Sequence, residues 1–364
     1  MLYESYFKKP KDIAGVIAKV RDLAKMTGPV RLMEICGTHT MAISRSGIRG
    51  LFLPEIQLIS GPGCPVCVTP SGVMDEIFKL SDHKNIVITS YGDLLRVPGS
   101  RRGDSLLRRK ALGAHVVDVY SPMDALALAR KNPGKKVVFL GVGFETTAPG
   151  TASCLLEAVR QGVENFSILC LLKPTEPALR TLVESPDFNV SGFLCPGHVA
   201  AVTGSDAFAF LPEDYGLPAV VSGFEGADLL CSILLLMEML ADKTPGLVNE
   251  YVRLVRPKGN PAAQEMIRRV FEPVTCEWRG LGMVPGGGFK IKDEFSDFDA
   301  ARRFHLTWHE GKEPAGCRCA QVIRGSLAPG QCPLFKTVCT PQDPVGPCMV
   351  SSEGSCAAAF RYEL

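Results

Sequence analysis

Three cysteines near the N-terminus have the spacing of thiols that do chemistry. Cys36 lies in the run EICGTHT with His39 three residues further on, and Cys64 and Cys67 form a CPVC motif inside GPGCPVCVTP. A Cys-x-x-Cys pair can close a disulfide, bind a metal or exchange thiols, and a nearby histidine can ligate a metal or tune a thiolate. Packing in a turn accounts equally well for Cys36 and His39 taken alone. The rigid CPVC loop favours a functional role for Cys64 and Cys67 over a purely structural one.

The tail of the chain carries a second and denser group of cysteines. Six fall within its last 50 residues, namely Cys317, Cys319, Cys332, Cys339, Cys348 and Cys356. This segment is rich in proline and glycine, so it cannot build a large apolar core and needs another source of stability, such as a metal centre. The spacings after Cys319 are wider than the close pairs of a zinc site, and an iron–sulfur cluster accepts them. The pattern favours such a cluster, with zinc or metal-free thiols as alternatives.

Fourteen cysteines are many for a chain that shows no export signal. The N-terminus lacks a basic region followed by an apolar stretch, so we expect a cytoplasmic protein whose thiols stay reduced. Clustered cysteines then bind metal or do redox chemistry, and isolated ones pack in the core. We assign packing to Cys154, Cys170, Cys231 and Cys276. Cys195 follows an apolar strand and is left outside the site.

Composition argues against several classes of partner. The 364 residues carry 40 Lys and Arg against 38 Asp and Glu, so nothing in the charge favours nucleic acid or a membrane surface. The longest apolar run, residues 229–240, contains Glu238 and is shorter than a membrane span of about 20 residues. No long amphipathic dimerisation helix stands out, so we expect a monomer when the protein is free.

Short apolar runs alternate with helical patterns along the first two thirds of the chain. The predicted strands are residues 30–35, 56–60, 86–90, 115–119, 136–142, 166–172, 192–195 and 218–222. Predicted helices between them include residues 73–80, 105–112, 123–129, 151–161 and 177–183. This alternation predicts parallel α/β sheets, which bind ligands at the carboxyl ends of their strands. Cys36 and the CPVC loop follow two of these strands directly.

The order of motifs repeats with an offset of about 100–106 residues. The matching segments are 31–35 with 137–141, 68–70 with 172–174, 86–90 with 192–195, and 116–120 with 219–222. We therefore predict two related parallel-sheet α/β domains, residues 1–130 and 131–246. A C-terminal domain, residues 247–364, is predicted to be mostly helical or irregular and to carry the iron–sulfur cluster. Chance similarity among α/β units is the alternative explanation of the repeat.

Two loops of the second repeat match the cysteine loops of the first. GFETTAP places Glu145 at the end of one predicted strand, and CPGHV places His198 after another. If both repeats present these edges to one cleft, the two side chains converge with the N-terminal cysteines and His39. Helix capping is the alternative role for Glu145, and a hydrogen bond that holds the turn is the alternative for His198.

Taken together, these motifs are specific enough to identify a family. EICGTHT, GPGCPVCVTP, GDLLRVPGS, YSPMDALALA, GFETTAP, PGHV, EWRGLG and CPLF…CTP…GPCMVSSEGSCAA occur in the order found in the HypD family of NiFe-hydrogenase maturation proteins. The chain resembles this family over residues 31–362. The resemblance is far more specific than a lone Cys-x-x-Cys motif.

The resemblance implies a function and a set of site residues. Such a protein is a scaffold on which the Fe(CN)2CO group of the hydrogenase is assembled, together with the small chaperone HypC and with cyanide received from HypE. Cys36 would hold the iron, and Cys64 and Cys67 would form a redox pair beside it. His39, Glu145 and His198 match further motif positions in the cleft. The 4Fe-4S cluster ligands would be Cys319, Cys332, Cys339 and Cys356, and the family pattern does not require Cys317 or Cys348.

The sequence departs from the family pattern at two positions, and two other functions remain open. Met41 stands where many relatives carry a second histidine, so a histidine at this position is not a ligand that every family member needs. Ala320 stands where relatives often have a glycine after the first cluster cysteine. One alternative is an iron–sulfur-dependent thiol/disulfide oxidoreductase that works without HypC or iron. Another is a zinc-stapled binding module without redox activity. GVGFETT is not the G-x-G-x-x-G fingerprint, so no dehydrogenase is predicted.

Overall fold

A computed structural model describes residues 10–363 as two parallel β-sheets with helices packed around them. The strands are β1 Val30–Glu34, β2 Ile56–Ser60, β3 Ile86–Ser90, β4 Val116–Asp118, β5 Lys136–Gly143, β6 Phe166–Leu172, β7 Gly192–Pro196, β8 Ala219–Ser222, β9 Leu247–Asn249, β10 Phe271–Trp278 and β11 Gly282–Ile291. The helices are α1 Pro10–Thr27, α2 Gly37–Ser46, α3 Ile48–Leu51, α4 Ser71–Ser81, α5 Leu106–Ala111, α6 Pro122–Lys131, α7 Ala148–Gln161, α8 Thr175–Val183, α9 Gly197–Thr203, α10 Phe210–Tyr215, α11 Gly226–Asp242, α12 Pro261–Val270, α13 Ala300–Arg303, α14 Cys319–Ile323 and α15 Ser355–Tyr362.

Both large sheets are parallel, which confirms the predicted α/β class. The first sheet has the order β2-β1-β7-β8-β9 and the second has the order β4-β3-β5-β6. Their strands are short runs of Val, Ile, Leu and Phe that are buried on both faces, as helices on either side of a parallel sheet require. All eight predicted strands form within a residue or two of their predicted ends.

The sheets do not group the strands as the sequence order suggested. β1 and β2 precede the predicted boundary at residue 130 and β7, β8 and β9 follow it, yet all five build the first sheet. The chain crosses to the second sheet after β2 and returns after β6. Each sheet therefore combines strands from both sides of that boundary. The domain bounds at residues 130 and 246 stay a prediction.

The internal repeat survives in the order of the strands. The first four strands of the first sheet are β2-β1-β7-β8, and the second sheet, read from its other edge, is β6-β5-β3-β4. The sequence repeat pairs these strands one by one in this order. Each half of the repeat therefore gives two strands to each sheet. As a result, the loops after β1, β2, β7 and β8 share one carboxyl edge.

The C-terminal third contains more strand than predicted. β10 and β11 form an antiparallel hairpin that packs on β6 and α8. The Gly- and Pro-rich composition of residues 280–288 favoured an irregular segment here. A register shift between Val274 and Cys276 absorbs the glycine-rich part, and tertiary packing overrides the low strand propensity. The prediction of a mostly helical or irregular C-terminal region is wrong for this hairpin.

The long apolar run near residue 230 is a core helix. α11 buries a continuous series of leucines between the first sheet and α1, and its end at Asp242 is polar. Among residues 10–363, no helix is both long enough and apolar enough to cross a membrane.

Candidate functional site

Cys36 sits where the first sheet meets the helix that follows it. It is the last residue before α2, its backbone is extended (φ −148°), and its side chain is half-buried. Gly63, at the head of the CPVC loop, lies directly against it: the Gly37 N–H donates to the Gly63 carbonyl oxygen at 2.9 Å. A Cβ on Gly63 would fall 2.3 Å from the Cys36 nitrogen. The two cysteine loops are therefore packed backbone against backbone.

Replacing Gly63 by alanine should separate these loops. The added methyl would meet main-chain atoms of residues 35 and 36, which cannot swing aside as a long side chain could. We expect Gly63→Ala to lower the free energy of unfolding by about 3 kcal/mol, the upper part of the range for overpacking. Gly15→Ala is the matched control, because Gly15 lies in α1 with no neighbour within 4 Å and alanine favours helix there. Urea unfolding of both variants measures the difference; equal stabilities would contradict the close packing.

A buried carboxylate supports the Cys36 turn. Glu34 is 1% exposed and accepts hydrogen bonds from the Cys36 N–H at 3.2 Å and the Thr40 hydroxyl at 2.6 Å. Burial raises the pKa of Glu34 to about 7, although hydrogen bonds from Ser60 and Thr40 work against the shift. Burial likewise raises the pKa of the Cys36 thiol to about 12. Without a metal, the site therefore holds Cys36 as a neutral thiol.

The two predicted histidines contact the same phenylalanine ring. Phe224, in the loop after β8, stacks on His198 with 3.9 Å between ring centroids, and its ring is tilted against His39 with 4.6 Å between centroids. The Nε2 atom of His39 lies 2.9 Å from the Gly223 carbonyl oxygen. Burial lowers the pKa of His39 to about 4, so the ring is neutral and Nε2 carries the proton that reaches this carbonyl. Its Nδ1 is buried, and no described residue pairs with it.

Glu250 stands behind the Phe224 loop and should make stability depend on pH. It accepts from the Gly223 N–H at 3.2 Å, and burial raises its pKa from 4.5 to about 7. A raised carboxyl pKa stabilises the fold below pH 4.5, and this stabilisation is lost as pH rises through 7. Glu250→Gln keeps an acceptor for the N–H without the charge. We expect the variant to be more stable than the parent by on the order of 2 kcal/mol at pH 8 and equal to it near pH 4.5, as measured by urea unfolding. A pH-independent difference would contradict this account.

The CPVC cysteines are joined to each other and face the tail. Cys64 and Cys67 form a disulfide, with 5.2 Å between their Cα atoms, and both are buried. Cys67 Sγ lies 3.8 Å from the Pro347 carbonyl oxygen. A small cavity between the loop and the tail is lined by both cysteines and by Cys348. Cys348 of the tail is therefore a direct neighbour of the CPVC loop.

The tail also reaches the helix that starts beside Cys36. Glu353 accepts from the Thr38 hydroxyl at 3.0 Å, and its Cβ packs so closely on Gly37 that a side chain there would collide with it. α15 packs on α2, and Glu363, directly after α15, accepts from the Ser44 hydroxyl at 2.7 Å and pairs with Arg49 of α3 at 2.8 Å. These contacts hold the tail against both N-terminal cysteine loops.

The six tail cysteines gather in one sulfur-rich cluster. Cys319 and Cys348 have their sulfurs 2.7 Å apart, and Cys348 also contacts Cys356. Cys339 accepts from the Val345 N–H at 3.3 Å and lies near Cys319 and Cys356, while Cys332 lies near Cys317. Hydrogen bonds from the Cys317 and Cys348 thiols hold the pKa of Cys319 well below its usual range.

This donor set fits the chemistry of an iron–sulfur cluster without fixing the ligands. Buried thiols on short Pro- and Gly-rich segments, with a backbone N–H directed at one sulfur, are what such clusters use. Six candidates exceed the four that one cluster takes. Cys348 lies as deep in the cluster as the four predicted ligands, so their identity stays a prediction. Within residues 10–363, no three Cys, His, Asp or Glu side chains form a ready-made metal site.

Glu145 lies at the other sheet. It follows β5 at the carboxyl edge of the second sheet and accepts from both the N–H and the hydroxyl of Thr175, each at 2.7 Å. Thr175 begins α8, so the carboxylate caps this helix. Its predicted place beside Cys36 stays a prediction.

Three residues at the site escaped the sequence reasoning. Glu34 and Glu353 lie inside quoted motifs, EICGTHT and MVSSEGSC, but nothing in the motifs shows that the two carboxylates flank one cysteine turn. Phe224 follows β8 and has no motif of its own. The repeat could have pointed to the Phe224 loop, since it ends a strand beside β7.

Comparison with known proteins gives one consistent result. Residues 11–363 match the family HypD, described as the hydrogenase formation hypA family. A protein of Azotobacter vinelandii named hydrogenase maturation factor HypD is 42% identical over 368 residues, covering 100% of this chain and 97% of the relative. Proteins of the same name from Rhodobacter capsulatus and Escherichia coli K12 are each 41% identical, covering 100% of this chain and 98% of the relative.

Proposed function

Because the chain belongs to the HypD family of hydrogenase maturation factors, we propose that it is a redox-active scaffold for assembling the Fe(CN)2CO group of a NiFe hydrogenase. In this role iron and its diatomic ligands are cargo that the protein holds and passes on. One juxtaposition supports the proposal: Cys64, Cys67 and Cys348 line one cavity, while the same tail contacts the helix that begins beside Cys36. Anchor, redox pair and cysteine cluster are thus neighbours.

Cys36 is the proposed anchor for the iron, shared with a thiol of a HypC-type chaperone. Low-spin iron with cyanide and CO suits a soft thiolate in a site shielded from water. The half-buried position of Cys36 supports this role. The neutral His39 ring, with an unpaired and buried Nδ1, and His198 across Phe224 are the further residues proposed to face the cargo. Cys64 and Cys67 are proposed to lie close enough to contact the iron as well.

Cys64 and Cys67 are the proposed source of electrons for cyanide transfer from a HypE-type donor. Releasing cyanide from a thiocyanate-like carrier breaks its S–C bond and takes two electrons and two protons, giving a thiol and hydrogen cyanide. A Cys64–Cys67 dithiol supplies both pairs when it closes to the disulfide. The disulfide must then be reduced before another turn.

The tail is proposed to hold a 4Fe-4S cluster through Cys319, Cys332, Cys339 and Cys356. When bound, such a cluster supplies or accepts single electrons. The cavity shared by the CPVC loop and Cys348 supports a redox connection between the two groups of cysteines. We propose that the chain works in the cytoplasm, as a monomer until it binds its chaperone and cyanide donor, without nucleic acid or membrane.

Infrared spectroscopy on the isolated complex tests this function. The protein is purified anaerobically with a HypC-type chaperone from cells that contain a HypE-type cyanide donor. We expect iron in the complex and stretching bands of both cyanide and CO. A stable complex that carries neither iron nor these bands would contradict the scaffold role.

An iron–sulfur-dependent thiol/disulfide oxidoreductase is the second candidate. The closed Cys64–Cys67 disulfide beside the tail cysteines favours it, since reduction of this disulfide would be its half-reaction. It requires turnover of a generic disulfide substrate without chaperone or cargo iron. The scaffold predicts no such turnover.

A further inference from the structure

A large cavity lies at the carboxyl edge of the second sheet, away from Cys36. Its volume is about 740 Å³, within the usual range for small-molecule sites. The end of β6, the hairpin β10–β11 and the segment around Trp308 form its walls. Thr69 and Lys173, which occupy matching positions of the internal repeat, both line it.

Lys173 is a buried cation without a carboxylate partner. Its residue is 5% exposed, and its ammonium donates to the Glu277 carbonyl oxygen at 2.9 Å and to the Cys276 sulfur at 3.1 Å. The Trp278 ring lies beneath it at 5.1 Å. Within the described part of the chain, no Asp or Glu oxygen comes within 4.0 Å of this nitrogen. The Glu277 carboxylate acts on the ammonium only from a longer distance, and a buried ammonium without a carboxylate in contact is costly unless a ligand supplies one.

The hairpin is shaped to make this arrangement. The strand register shifts between Val274 and Cys276, the Cys276 thiol contacts the Lys173 ammonium, and Gly288 leaves room for the thiol, since a Cβ there would fall 2.8 Å from the sulfur. The Trp278 indole N–H donates to the Gly287 carbonyl oxygen at 2.7 Å, which fixes the ring under the ammonium. Cys276, predicted to be a packing residue, therefore lines a cavity, and so does Cys170.

We propose that this cavity binds a small organic anion, with its anionic group on the Lys173 ammonium and its apolar part against Met283, Phe289 and Trp308. Glu277, Asp299 and Glu310 also line the cavity, and their charges disfavour a ligand with a second anionic group. Lys290 is neutralised by Glu272 at 2.7 Å, so it does not compete for the anion. The ligand class is therefore an apolar monoanion, such as an organic carboxylate or sulfonate.

Fluorescence with a matched pair of probes tests the site. 1-Anilinonaphthalene-8-sulfonate is an apolar monoanion, and N-phenyl-1-naphthylamine is its neutral counterpart. Of the two tryptophans of the chain, Trp308 lines the cavity and Trp278 lies under Lys173, so energy transfer from tryptophan to the probe reports binding there. We expect one sulfonate per chain, bound about tenfold or more tightly than the neutral probe, as a hydrogen bond to a charged group provides.

Two lysine variants identify the group responsible. Lys173→Met should weaken the sulfonate about tenfold or more and leave the neutral probe unchanged, whereas Lys290→Met should change neither. Methionine replaces the buried ammonium by an apolar chain of similar length, and an unliganded melting temperature equal to or above the parent's is expected. A merely structural lysine would instead lower it.

A rim variant keeps the test decisive if Lys173→Met fails to fold. Met283 is 62% exposed, and Met283→Glu adds a negative charge at the cavity mouth without disturbing the core. It should weaken the sulfonate more than the neutral probe. The proposal would be overturned if Lys173→Met or Met283→Glu folds and binds the sulfonate as tightly as the parent does. Binding without energy transfer from tryptophan would also overturn it. Neither result depends on the proposed role in hydrogenase maturation, because only probe binding to the isolated protein is measured.

Discussion

Cys36→Ser is expected to abolish hydrogenase maturation while leaving the fold intact. Serine fits the half-buried turn, but its hydroxyl is a poor ligand for soft low-spin iron. Loss of a residue that only hydrogen-bonds to a metal ligand lowers metal affinity or activity roughly 10- to 100-fold. Loss of Cys36, the proposed iron ligand itself, should therefore lower hydrogenase maturation about 100-fold or more. Hydrogenase activity in cells that carry only the variant measures the effect, and infrared spectra should show that the cyanide and CO bands are gone.

Cys154→Ser is the matched control for this prediction. The Cys154 thiol is buried and donates to the Pro122 carbonyl oxygen at 3.2 Å, a bond that a serine hydroxyl can keep. Activity should stay within about twofold of the parent, as for substitutions away from the reacting groups. Full activity of Cys36→Ser with retained infrared bands would show that the iron is held elsewhere.

Cys67→Ser should stop maturation by a different route. The remaining Cys64 thiol cannot form the disulfide, so the loop no longer delivers two electrons and two protons. We expect a loss of about 100-fold in hydrogenase activity, comparable to removal of the anchor. Iron and sulfide in the tail should be unchanged, because neither CPVC cysteine is among its proposed ligands. Hydrogenase activity and metal analysis on the same preparation separate the two effects.

The outcome of Cys67→Ser decides between a redox loop and a structural one. Pro65→Ala is a useful control, because it changes the loop between the two cysteines and keeps both thiols. Activity near the parent level in Cys67→Ser would mean that closing the disulfide is not part of the function. Loss of iron and sulfide in this variant would instead make Cys67 a ligand of the tail cluster.

Sequence patterns predicted the parts of this fold that are local. Short, continuously apolar runs such as Ile86–Ser90 are typical of strands in a parallel sheet that is covered on both faces. All eight strands predicted from such runs are present in the structure. Which sheet a strand joins depends on tertiary packing, and the sequence of a single strand does not show it. The hairpin around Trp278 was missed because its glycines fill a bulge, and a bulge reads as a loop.

The candidate site divides in the same way. Cys36, the CPVC loop and His198 follow strands of one sheet, and the rule that ligands bind at carboxyl edges predicted their common side. The contact between Thr38 and Glu353 joins residues 315 positions apart, and no local pattern reports it. Lys173 is a single lysine at the end of an apolar strand, so its burial without a carboxylate in contact became visible only in the structure.

The metal content of the protein decides whether its tail holds an iron–sulfur cluster beside a redox loop. Iron, zinc and acid-labile sulfide are measured, with a visible spectrum, on anaerobically purified parent protein, on Cys332→Ser and on Cys154→Ser. We expect about four irons and four sulfides per chain in the parent and the Cys154 variant, as in a 4Fe-4S cluster, and their loss in Cys332→Ser. Zinc in the parent, or no metal at all, would contradict the cluster and leave the tail as a structural site or a segment of free thiols.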